Sequence, residues 1–147
     1  MLYNYRHRFY ASYTNTEYWQ NPHIPNTLDE LKLRLPFLTQ LIHRYFPTES
    51  AAQILDIGCG HGALIHVARQ MGYKNIRGID GSPAQVATAK HLGIDGVVYG
   101  DAMKTLITEA DDSLDCVISF DFIEHFTKIE LIELVDEVFR ALKPGGR

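Results

Sequence analysis

The fold class this sequence predicts is α/β, a doubly wound parallel sheet, and three observations predict it. Short apolar runs at 53 to 57, 75 to 79, 96 to 99 and 115 to 120 alternate with helical patterns, the order that yields parallel strands, helices on both faces and right-handed crossovers. Three glycines at alternate positions, Gly58, Gly60 and Gly62, follow the first run and lead straight into a helix. Polar residues stand after every run: Asp56 to Gly62, Asp80 to Ser82, Asp101, and Asp121 to His125. In such sheets ligands bind beyond the carboxyl ends of the strands, where the strand order reverses, so these segments are predicted to share one rim.

The elements follow in chain order. Residues 1 to about 26 are aromatic and polar without a period (Tyr3, Tyr5, Phe9, Tyr10, Tyr13, Tyr18, Trp19) and end at Pro22 and Pro25. This arm reads as a cap over one edge of the core or as a lid over a site. From Thr27, Leu28, Leu31, Leu35, Leu38, Ile42 and Tyr45 recur at helical spacing, and Thr27 with Glu30 has capping-box spacing. Pro36 predicts either a kink or a second helix starting near it. Residues 1–50 thus form an N-terminal arm and helix, and 51–147 the α/β part.

After the first strand, Ala63, Leu64, Val67, Ala68 and Met71 make a helix face that stops at Gly72. Ser82, Pro83 and Gln85 supply an N-cap, a first-turn proline and a capping-box glutamine for a helix ending at Gly93. A short helix is predicted at Ala102 to Thr108. The run DCVISF at 115 to 120 is apolar enough for a strand buried on both faces. Thr127 and Glu130 cap a last helix with Leu131, Leu134, Val135, Val138, Phe139 and Leu142 on one stripe, closed by LKPGG.

Composition narrows the function. A formal charge of −4 gives no electrostatic reason to expect a nucleic-acid partner. No apolar run is long enough to cross a membrane and no signal core is present, so a soluble, cytoplasmic protein with a small-molecule partner is expected. Cys59 and Cys116 do not read as a disulfide framework. His61, His66 and His91 read as loop or solvent residues.

Glycine turns of this kind let a ligand approach the backbone and aim helix N–H groups at it. Gly58, Gly60 and Ala63 satisfy the dinucleotide fingerprint, and Asp80 stands where a ribose-binding acid belongs. A nicotinamide-dependent oxidoreductase is therefore one reading, and a non-catalytic cofactor-binding module another.

Taken together, however, ILDIGCGHG, GIDGSP, GDA at 100 to 102, DCVISFDFIEHF and LKPGGR resemble, in order, the motifs of the class I S-adenosylmethionine-dependent methyltransferases. The resemblance runs from about residue 53 to the end and implies a Rossmann-like methyltransferase fold with S-adenosyl-L-methionine as cofactor. It implies that Gly58, Cys59, Gly60 and Gly62 contact the amino-acid part of the cofactor, with Asp56 orienting that loop or reaching the ammonium through a water. Asp80, with Gly81 and Ser82 behind it, would accept from the ribose hydroxyls; Asp101, with Ala102, would meet the adenine; Phe120 and Asp121 would floor the methionyl end. His125 is the candidate base. Alternatively Asp121, Glu124 and His125 would hold a divalent cation, as a similar stretch does in some quinone-biosynthesis O-methyltransferases, or simply cap the following helix.

Members of this family carry seven strands, so the four present here imply a fragment of a longer enzyme. The arm and first helix are similar to methyltransferases of polysaccharide biosynthesis. A sugar hydroxyl is thus the expected acceptor, and a phenol or quinone precursor the second.

Overall fold

The structure is a computed structural model that describes residues 25–147. The aromatic arm, and with it the choice between cap and lid, lies outside the described residues apart from Pro25 and Asn26.

Four parallel strands, β1 (Ile54–Ile57), β2 (Ile76–Asp80), β3 (Val97–Tyr99) and β4 (Cys116–Ile118), form one sheet in the order β3-β2-β1-β4. Ile54 pairs with both Ile76 and Cys116, so the strands end almost level. Side chains alternate across the sheet. Ile54, Ile76 and Cys116 enter one core with α1 (Leu35–Tyr45), α2 (Ala63–Gln70) and α3 (Pro83–His91). Leu55, Ile57 and Ile79 enter the other with α4 (Ala102–Thr108) and α5 (Lys128–Ala141). The doubly wound parallel fold is thereby established. No helix among the described residues is long and apolar enough to cross a membrane.

Local chemistry explains most boundaries. Pro36 sits in the first turn of α1, where its missing N–H costs nothing, and the residues before it form a separate 3₁₀ turn, Leu28–Leu33. Two helices, not one kinked helix, occupy this stretch. Thr27 does not complete the expected capping box: its hydroxyl donates to Glu30 Oε1 at 3.2 Å and receives no backbone N–H. At α3 the box is half made. Ser82 Oγ accepts the Gln85 amide at 3.4 Å, but the Gln85 side chain turns away to His61. At α5 the box is complete, with Thr127 and Glu130 exchanging both bonds.

Two expectations about burial hold only in part. The fourth strand is shorter than 115 to 120 and is the sheet edge among the described residues; Val117 and Ile118 are half-buried and Phe120 is exposed. Its outer side meets the backbone of Arg147, which accepts from Val117 N at 2.9 Å and donates to Asp115 O at 3.2 Å. The stripe on α5 is narrower than its sequence suggests. Leu131, Leu134, Val138 and Leu142 face the core, whereas Val135 and Phe139 lie outside it with Ile129 and Ile132, Phe139 being 82% exposed. Each residue turns the helix by about 100°, so positions 135 and 139 fall past the edge of the buried arc.

Two polar ties hold these layers in place. Arg140 donates to Leu106 O and Glu109 O, both at 2.8 Å, fastening the end of α4 to α5. Asp115 accepts from Gln53 N at 2.7 Å and from Lys143 Nζ at 2.8 Å, fixing where β1 and β4 start.

Candidate functional site

The glycine turn leaves β1 on left-handed backbone: Gly58 has φ +72° and Gly60 has φ +57°, conformations that side chains resist. The amides of Gly58 and Cys59 both donate to Ile79 O, at 2.8 and 3.2 Å, folding the turn over the end of β2. A Cβ on Gly58 would lie 2.3 Å from Phe122 Cδ2, so glycine is required there by packing as well as by φ. A Cβ on Gly60 would meet nothing nearer than Gln85 Oε1 at 3.8 Å. The space above Gly60 is open, a cradle that a side chain would fill.

Asp80, the last residue of β2, anchors this cradle. Its Oδ2 accepts the Gly60 amide and its Oδ1 the Ser82 amide, each at 2.8 Å. Each carboxylate oxygen keeps a further lone pair for a ligand hydroxyl. Burial pushes the Asp80 pKa up, against the two amides and nearby His125, which pull it down. Asp80 also ties in the next strand end, since its carbonyl accepts the Gly100 amide at 3.0 Å. Asp101 follows, and its Oδ1 caps α4 through the Lys104 amide at 3.1 Å. Ala102 beside it is buried.

Asp56 is only 3% exposed and stands one residue before the end of β1. Burial, and after it the negative charge of Asp80, raise its pKa to about 8. Asp56, Gly58, Cys59, Gly60, Phe120 and Asp121 line one cavity of about 220 Å³. Asp121 holds a left-handed φ of +52°, unusual outside glycine, as the chain turns off β4. Phe120 stacks obliquely on Phe37 of α1, with ring centroids 5.8 Å apart and the two rings 38% and 50% exposed. Asp56, Asp80, Asp101 and Asp121 thus all lie at or just beyond the strand ends on one rim.

The cavity has walls the sequence did not announce. Arg34, Leu38 and Leu41 line it from the α1 side, and Gln85 from α3. A lone arginine between two leucines just before Pro36 was the available signal for Arg34. His61 is not a solvent residue: it lines the cavity, with Nδ1 3.2 Å from Gln85 Oε1 and Nε2 buried without a hydrogen bond. Burial lowers its pKa, and Arg34 lowers it further. Burial likewise pushes the Cys59 thiol far up, so it is no nucleophile. His66 is half-buried and His91 exposed.

A match to the family described as methyltransferase domain covers residues 55–147, which is every strand end just described. The chain belongs to this family. The chain is 28% identical over 144 residues to the ubiquinone biosynthesis O-methyltransferase of Xylella fastidiosa strain M23, covering 94% of this chain and 54% of that protein. The chain spans about half the length of the curated relatives it matches. Among solved structures, the PH0226 protein of Pyrococcus horikoshii OT3 superposes with a TM-score of 0.69 at 28% identity, over 89% of this chain and 63% of that one. Phosphoethanolamine N-methyltransferase 2 of Haemonchus contortus, solved with S-adenosyl-L-methionine, gives 0.63 at 30% identity, over 76% of this chain and 26% of that one.

Within the methyltransferase domain His125 lies apart from the cavity lining. It closes a 3₁₀ turn, Ile123–His125, edge-on to Phe122 at 6.4 Å and near Asp80. Among the described residues no group of three or more His, Cys, Asp and Glu side chains gathers so as to hold a metal ion.

Proposed function

We propose that this chain binds S-adenosyl-L-methionine along the rim and forms the donor side of an enzyme that methylates a hydroxyl of a small molecule. The observation that carries the reading is the Asp80 carboxylate, bonded at once to the Gly60 and Ser82 amides beside a cradle that only glycine leaves open. That donor set suits a ribose diol: an acceptor-only group held rigidly against a backbone that a nucleoside can approach. Gly58, Cys59, Gly60 and Gly62 would hold the amino-acid end with Asp56 behind them. Arg34, reaching the same cavity from α1, would offset the carboxylate of that end. Gly81 and Ser82 would border the ribose, and Asp101 with Ala102 the adenine.

When bound, the sulfonium of the cofactor supplies an activated methyl group. The protein's own share is then alignment and exclusion of water, with a base needed only where the acceptor must lose a proton. Phe120 and Asp121 floor the cavity at the end of β4, and His125 in the next turn is the candidate to take that proton.

For the acceptor, a phenol or quinone precursor is preferred to the sugar hydroxyl expected from the N-terminal resemblance. The exposed rings of Phe37 and Phe120 offer an aromatic surface beside the cavity, and curated relatives are named for ubiquinone biosynthesis. Calorimetric titration with S-adenosylhomocysteine and with NAD tests the cofactor. Binding of NAD alone would point to an oxidoreductase. Transfer of labelled methyl groups to a catechol but not to a sugar panel tests the acceptor, and cofactor binding without transfer to either would point to a non-catalytic module.

A further inference from the structure

Two carboxyl groups share the cavity side of the sheet, and the fold treats them differently. Asp80 has its charge held by two backbone amides. The Asp56 carboxyl has no hydrogen bond to any of the described residues, although Asp56 is the more buried of the two and stands on β1 between Leu55 and Ile57. Among the described residues, the groups around it supply no compensating cation. From β2 it meets the negative Asp80; from its own turn, the thiol of Cys59 and the uncharged ring of His61; from β4, the thiol of Cys116 and, beyond the strand, Asp121. Arg34 reaches the same cavity from α1 but makes no ion pair with Asp56 at 4 Å or less. A carboxylate this deep in the fold and without a donor from the described residues is costly, and a proton on one of its oxygens offsets that cost.

We propose, building on the cofactor reading above, that Asp56 carries a proton in the protein alone and releases it to solvent when the ammonium of an S-adenosyl amino acid seats beside it. The carboxyl O–H bond breaks, the proton passes to buffer, and the carboxylate left behind faces the incoming positive charge. Asp56 is thus a positioning residue that makes the site selective for a nucleoside bearing a charged amino-acid end, and it couples binding to pH. The elevated pKa of about 8 agrees with this assignment.

The test compares S-adenosylhomocysteine with 5′-methylthioadenosine, which has the ribose and adenine but no amino-acid end. Calorimetry at pH 6.5 in two buffers of different ionisation enthalpy counts protons. The expected result is close to one proton released per S-adenosylhomocysteine and none per 5′-methylthioadenosine. Affinity for the former should rise between pH 6 and 7.5, approaching tenfold per unit, while affinity for the latter stays flat. In Asp56→Asn both the proton release and the pH dependence should vanish. Release that persists in Asp56→Asn, or release equal for the two ligands, would overturn the proposal and point to Asp80. Should Asp56→Asn not fold, the two-ligand comparison on the unaltered chain still decides. Failure of both nucleosides to bind would instead bring down the cofactor reading itself.

Discussion

Gly60 and Asp80, twenty residues apart, are joined by a 2.8 Å hydrogen bond from backbone amide to carboxylate oxygen. The glycine turn after β1 and the acid at the end of β2 are therefore one unit, and loss of the carboxylate would release the turn as well as the ligand hydroxyls. Asp80→Ala is expected to weaken S-adenosylhomocysteine by about 1.5 to 3 kcal/mol, the range for hydrogen bonds to a charged group. Calorimetric affinity measures it, and an unchanged value would remove Asp80 from the site.

Gly58 is held by both its φ of +72° and the ring of Phe122. Gly58→Ala is expected to destabilise the fold by roughly 2 to 4 kcal/mol, from left-handed strain added to overpacking. A urea midpoint within error of the parent would show that Phe122 gives way.

Asp56 sets a pH dependence of stability opposite to the usual one. Its folded pKa of about 8 lies above the ordinary carboxylate value near 4, so the folded chain holds a proton the unfolded chain has lost. This contribution is fully present below about pH 4 and is lost as pH rises toward 8. Thermal melts should accordingly show Asp56→Asn gaining on the parent as pH rises, by roughly 1 to 3 kcal/mol at pH 8. Parallel profiles for the two proteins would contradict a protonated Asp56.

Thr127→Ala removes the hydroxyl that caps α5 and is expected to cost about 1 kcal/mol. Thr27→Ala, at the residue whose hydroxyl caps no backbone N–H, should cost clearly less in the same denaturation series. Equal losses would mean that the two caps do not differ as described.

Phe120→Ala is expected to raise KM for a phenolic acceptor several-fold while affinity for S-adenosylhomocysteine changes little, because the ring packs on Phe37 of α1 and makes no hydrogen bond in the Gly60–Asp80 unit. Steady-state kinetics with varied acceptor checks this, and a loss confined to the cofactor would assign Phe120 to the donor side.

Much of this architecture was legible because alternation of short apolar runs with capped helices leaves few topologies, and because acids at strand ends must share a rim once the strands are parallel. Asp56, Asp80 and Asp101 fall where that reasoning puts them. What was not legible depends on approach between distant segments. Gln85 carries a capping-box spacing, yet its amide finds His61 across the turn. Arg34 enters the cavity only because α1 packs beside α2. Val135 and Phe139 belong to an apolar pattern whose width no spacing rule limits; only the neighbours present decide which part is covered.

That uncovered part has a practical sequel. Ile129, Ile132, Val135 and Phe139 make a greasy ridge along the outside of α5, the kind of surface that recruits other molecules indiscriminately. Preparations of this 147-residue polypeptide should brighten hydrophobic dyes such as ANS and elute early at high concentration, and replacing Ile132 and Phe139 by lysine should restore behaviour close to the expected mass.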